Sequence, residues 1–151
     1  MREAVAFSLC EYCDETAIPL LLEALDSERE QTAKEAERKL DRWFPLRFYG
    51  KGPGQTRDWD EVTRRWHAWW EENREHITEY YTLVVRPGDE FSSIVGNMYH
   101  GDHPPGWESY SKRHAAIVAA NPDIDPANLV EGQTLIIPRL KTLDPDDYEG
   151  D

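Results

Sequence analysis

Hydrophobic and polar positions keep a helical period up to His76 and switch between strand and helix periods after it. Ile18, Leu21, Leu22 and Leu25 recur at i, i+3, i+4 and i+7, which is one apolar face of a helix. Pro19 falls in the first turn, where its missing N–H is not needed. The stripe stops at Asp26. Ser27, with Glu30 three residues on, has the spacing of a capping box and predicts a second helix. Ala33, Ala36, Leu40 and Trp43 form its apolar stripe, small residues at 33 and 36 allow close approach, and Pro45 ends it. Asp58 and Glu61 form another capping pair. In the helix expected after them Trp59, Val62, Trp66, Trp69 and Trp70 share a side. Tryptophans at helical spacing are expected to be core, although such rings could also stack on sugars. Glu61, Arg64, Arg65, Glu71, Glu72 and Arg74 read as a solvated, ion-paired face.

After His76 the period becomes that of a strand. "YYTLVV" is aromatic and β-branched. Pro87 and Gly88 end it, and Asp89 is placed to cap a helix from Glu90 onward. Phe91, Ile94, Val95 and Met98 or Tyr99 would be that helix's buried stripe. The turn-rich "HGDHPPG" leads to a helix expected from about Trp107 to Ala120, with Trp107, Tyr110, Ser111, His114, Ile117 and Val118 on one face. Asn121 and Pro122 stop it, Asn tolerating the left-handed position. Gly132 precedes a last strand, "TLIIP". The order is β-α-α-β, with two strands in one small sheet and both helices on one of its faces. The fold class is therefore α+β: an all-α region over 1–76, a βααβ domain over 80–139 and an acidic tail over 140–151.

The charge narrows the partners. The 151 residues carry a formal −13. Residues 1–79 hold 12 basic and 18 acidic side chains, net −6, and residues 80–151 hold 5 and 12, net −7. Nucleic acid is excluded as a partner, because phosphate binding needs an excess of Lys and Arg. The stretch 144–151 contributes −5 with no base and reads as a solvated tail. No apolar run approaches the roughly 20 residues of a membrane span. No secretory signal is written at the N-terminus, which implies a cytoplasmic location unless the chain is a fragment of a longer, exported product.

Other chemistry is sparse. Cys10 and Cys13 are spaced as half a zinc site or a redox pair, but there is no second pair, so buried thiols in a reducing compartment are expected. "GKGPG" lacks the preceding strand and the Lys-Ser/Thr ending of a phosphate loop. His100, Asp102 and His103 have ligand chemistry but no fourth ligand, so no metal is expected. The carboxylates fall on caps and exposed faces without a nucleophile motif, so no enzyme and no cofactor are expected.

Two resemblances add to this reading. The stretch Ala17–Leu25, followed by Ala33 to Leu40, resembles a HEAT-like helical repeat. On that likeness Arg2 to Tyr12, with Val5, Leu9 and Tyr12 or Cys13 buried, would be the second helix of a preceding repeat. A repeat array needs capped ends. Either this helix caps itself, or the chain is part of a longer product.

Residues 81–139 resemble a LysM domain, on Val85-Arg86-Pro87-Gly88-Asp89, Ser93-Ile94, Ala120-Asn121-Pro122 and Leu129 to Pro138. The resemblance implies a bacterial-type, non-catalytic module for N-acetylglucosamine-containing glycan of peptidoglycan or chitin type. It implies a shallow groove between Gly88, Asp89, Glu90 and Phe91 on one side and Asn121, Pro122, Asp123 and Ile124 on the other. Backbone groups in such turns suit an acetamido amide, and Pro and Ile suit the flat sugar ring. Glu90 stands where the family usually has Thr, and the connection between the two helices is long. Similar connections occur in LysM-like modules of phage-tail or injection-machine proteins and of a potassium-binding protein. The second expectation is therefore a cytoplasmic adaptor or assembly part that uses the fold for protein or ion contact, with a protein partner through the helical region.

Overall fold

The computed structural model describes residues 17–98 and 105–148. The stretch Arg2 to Tyr12, both cysteines, and His100, Asp102 and His103 lie outside the described residues. The chain is of mixed α+β type, with five α-helices and a two-stranded antiparallel sheet among the described residues. It divides into two compact units, Met1–Glu72 and Asn73–Asp151.

In the first unit α1 (Ile18–Leu25) packs against α2 (Glu30–Trp43). The predicted stripes supply the contact: Ile18, Leu21, Leu22, Leu25, Ala33, Ala36 and Leu40 are all buried, and Pro19 sits in the first turn. Trp43 is only half-buried. The capping box does not form. Ser27 Oγ accepts the Arg29 N–H at 3.1 Å, while Glu30 pairs with Lys34 at 2.7 Å. The helix begins at Glu30 with Arg29 at the N-cap, so Ser27 lies two positions before the cap, too far back to serve the helix's free N–H groups. α3 (Trp59–Asn73) follows. Asp58 does accept the Asp60 N–H, at 3.1 Å, but Glu61 turns forward to Arg64 and Arg65 instead of back to the cap.

Trp66 and Trp69 are buried and Trp59 and Trp70 half-buried. Trp66 and Trp69 meet edge to face at 5.6 Å, with Phe48 5.0 Å from Trp66 and Phe44 5.1 Å from Trp69. One polar group enters this core: Glu37 is 8 % exposed and its Oε2 accepts the Trp66 indole N–H at 3.0 Å. The glycine-rich loop folds around Gln55. The Gln55 amide accepts the Gly52 N–H at 2.8 Å and donates to the Tyr49 carbonyl at 2.9 Å.

In the second unit β1 (Tyr80–Val84) pairs with β2 (Thr134–Pro138), in the register Tyr80 to Pro138 through Val84 to Thr134. Tyr81, Leu83, Leu135 and Ile137 alternate onto one face and are buried. Phe91, Ile94 and Val95 of α4 (Phe91–Met98) and Ala116 and Ile117 of α5 (Tyr110–Ala120) are buried as well. α5 packs on both α4 and β2. It starts later than the sequence pattern suggests, because Ser109 is its N-cap and accepts the Lys112 N–H. Trp107 instead precedes the helix, buried with Ala116 and Leu140. Pro138 sits at a rung whose backbone groups point away from the partner strand, so its missing N–H breaks no ladder bond.

The described part of the segment after β2, residues 139–148, is not a free tail. Leu140–Thr142 and Pro145–Asp147 form 3₁₀ turns. Tyr148 packs on Trp107 at 5.5 Å, and Lys112 Nζ donates to the Pro145 carbonyl at 3.0 Å. The carboxylates of Asp144, Asp146 and Asp147 stay exposed. Local turn bonds and one aromatic contact hold the backbone, despite the charge.

Candidate functional site

The strand-to-helix turn is built by one side chain. Asp89 Oδ2 accepts the Arg86 main-chain N–H at 2.9 Å, and its Oδ1 receives the Arg86 guanidinium at 3.1 Å. Both side chains are mostly buried. Asp89 therefore closes the turn backward onto Arg86 and does not cap the helix forward. Between them Gly88 takes φ +82°, a backbone state that side chains with a Cβ rarely adopt.

Beyond this turn lies an open groove of about 630 Å³. Asp89, Glu90, Phe91 and Ser92 form one wall, Pro126, Ala127, Asn128 and Leu129 the other, and His114 of α5 lies between them. Phe91 is buried and meets His114 edge to face at 5.0 Å. A turn centred on Asp125 sets the far wall. Its Oδ1 accepts the Ala127 N–H at 3.0 Å and its Oδ2 the Asn128 amide at 2.8 Å. The Asn128 bond, then the Ala127 backbone bond, hold the Asp125 carboxyl below its usual range.

Asp89, Glu90 and Phe91 line this groove, while Gly88 is exposed in the adjoining turn. The structure does not bring Asn121, Pro122, Asp123 or Ile124 into its lining. Pro122 and Asp123 are exposed and Ile124 is half-buried. Asn121 is buried and structural. Its Nδ2 donates to the Ile117 and Ile136 carbonyls at 2.8 Å each, and its Oδ1 accepts the Ile136 N–H at 2.8 Å. Its φ of −131° is not left-handed, so the helix ends there for the sake of this side chain. Ser92, His114 and the wall 126–129 were not expected at a site. "DPAN" does have the look of a turn held by Asp, which is the local signal for that wall.

Among the described residues no group of three or more His, Cys, Asp or Glu side chains could hold a metal ion. Among the same residues no helix is long and apolar enough to cross a membrane. In comparisons with known proteins, no family model, no curated protein and no solved structure matches the chain.

Proposed function

We propose that the second unit is a LysM-like, non-catalytic module that binds N-acetylglucosamine-containing glycan of peptidoglycan or chitin type, joined to a HEAT-like helical unit. One observation carries this reading. The turn after β1 and the loop before β2, in a β-α-α-β order, face each other across an open groove with apolar walls and polar turns. Pro126 and Leu129, half-buried, offer surface to a sugar ring over the buried Phe91, and the irregular backbone of both walls offers N–H and C=O groups to an acetamido group. The helical unit serves as scaffold or as a protein-binding part.

The test is a titration of the full chain with N-acetylglucosamine oligomers, followed by residue-resolved NMR. Shifts gathered at Asp89–Ser92 and Pro126–Leu129 are expected. No shift at millimolar sugar would turn the assignment to an adaptor acting through protein contact.

A further inference from the structure

Side chains able to donate a hydrogen bond line the groove at Ser92, His114 and Asn128. Ser92 and Asn128 are exposed, and the Asn128 amide already donates to Asp125 at 2.8 Å. His114 differs from both. It is half-buried between the two walls, and its ring nitrogens make no hydrogen bond among the described residues. Aromatic rings hold it instead. Phe91 meets it edge to face at 5.0 Å, and Tyr110, one turn earlier on α5, lies at 6.0 Å. Tyr110 Oη in turn donates to the Ser92 carbonyl at 3.4 Å, which ties α5 to the first turn of α4. The imidazole is thus positioned by its ring faces and edges, while its polar atoms stay uncommitted among the described residues. Half-buried polar atoms call for a partner, and the open groove is where one can enter.

We infer that His114 reads the acetamido arm of the sugar and is the residue by which the groove tells N-acetylated from unsubstituted units. The inference rests on the glycan reading above and names the side chain behind it. A neutral imidazole carries one donor and one acceptor, and a secondary amide carries the same pair, N–H and C=O. The amide stands further out from the sugar ring than the hydroxyl that a glucose unit has at the same carbon. A ring resting on Pro126 and Leu129 reaches His114 with its acetamide, where the shorter hydroxyl does not. A site whose polar group is left without a partner discriminates against the ligand that leaves it so. Because Phe91 and Tyr110 already hold the imidazole, little side-chain freedom is lost on binding.

The experiment compares two uncharged probes of equal length on the full chain, an N-acetylglucosamine oligomer and a glucose oligomer of the same linkage, so the net charge of −13 favours neither. The readouts are the imidazole nitrogen resonances of His114, followed beside the backbone shifts, and the dissociation constants of the parent chain, His114→Phe and His114→Gln. In the parent chain the acetylated oligomer is expected to move the His114 imidazole and the glucose oligomer to leave it in place. His114→Phe keeps a ring against Phe91 and Tyr110 and should bind the acetylated oligomer about three- to tenfold more weakly, with its affinity for the glucose oligomer unchanged. His114→Gln restores a donor and an acceptor and should recover part of that loss. Backbone shifts at Asp89–Ser92 and Pro126–Leu129 without movement of the imidazole resonances would overturn the inference and leave the glycan reading intact. Undiminished affinity in His114→Phe, or an equal loss for both oligomers, would do the same. No groove shift with the acetylated oligomer would overturn the glycan reading itself, and this inference with it.

Discussion

Asn73 and Asn121 close the two outer edges of the sheet at the same rung. Thr82 and Ile136 are register partners in the middle of β1 and β2. Asn73 Oδ1 accepts the Thr82 N–H at 2.8 Å, and Asn121 Oδ1 accepts the Ile136 N–H at 2.8 Å. Both asparagines are buried. A two-stranded sheet leaves alternate backbone groups on each edge without a strand to pair with, and buried groups of that kind are costly. Here side-chain amides supply the missing partners, one from the end of α3 and one from the end of α5.

Asn121→Ala removes three bonds and leaves the Ile136 N–H and C=O without their partner. The expected loss is about 3 kcal/mol or more, at roughly 1–3 kcal/mol per buried group left unsatisfied. Asn73→Ala should cost less, about 1–2 kcal/mol. Chemical denaturation of both variants checks this. Equal and small losses would show that the edges do not depend on these amides.

Asp89→Ala should destabilise the second unit by about 1–2 kcal/mol, because it opens the turn at Arg86. Asp89→Asn keeps an oxygen for the Arg86 N–H and should recover part of that. Thermal melting of the two variants is the check.

Glu37 gives the first unit a pH dependence. Burial, and then the nearby Asp41 carboxylate, push its carboxyl up to about 7 from 4.5, against the Trp66 hydrogen bond and Arg38. Between those two values the folded chain holds a proton that the unfolded chain has lost. The associated stability is complete below pH 4.5 and is lost as pH rises through 7, by at most ~3 kcal/mol. Glu37→Gln keeps an acceptor for the indole and cannot titrate. Its stability relative to the parent should rise across that window, as denaturation followed by tryptophan fluorescence at pH 5 and pH 8 will show. Parallel pH profiles would contradict the assignment.

Tyr148→Ala should lower stability by about 1–2 kcal/mol, since it strips one face of the buried Trp107. An unchanged melting temperature would return the segment to the status of a free tail.

What the sequence made legible were features whose cause is local. The alternation of "YYTLVV" and "TLIIP", the helical stripes, and the stop at Pro87 and Gly88 all depend on neighbours within a few residues, and β2 was read to the residue. The polar contacts were not legible, because their partners are distant in sequence. Glu37 meets Trp66 29 residues on and Asn121 meets Ile136 15 residues on. A single sequence does not show which of many Glu and Asn residues is buried. Ser27 is not the cap for a smaller reason: the helix starts two residues later than the motif suggests. Of the residues that the LysM resemblance implies for one wall, Asp89, Glu90 and Phe91 line the groove. Asn121, which the resemblance implies for the other wall, is a buried residue whose role depends on Ile136, and no local pattern shows that.

The loop around Gln55 ties three positions together as one inherited unit. A Cβ at Gly50 would lie 2.8–2.9 Å from the Gln55 amide, and one at Gly52 would collide with its oxygen. Gly50 is further bound by its φ of +148°, whereas for Gly52 the Gln55 side chain is the obstacle. A descendant of this chain that exchanged Gln55 for a short side chain would become free to vary at 52 but not at 50. A larger residue at 52 would displace the Gln55 side chain and with it the bonds to Gly52 and Tyr49.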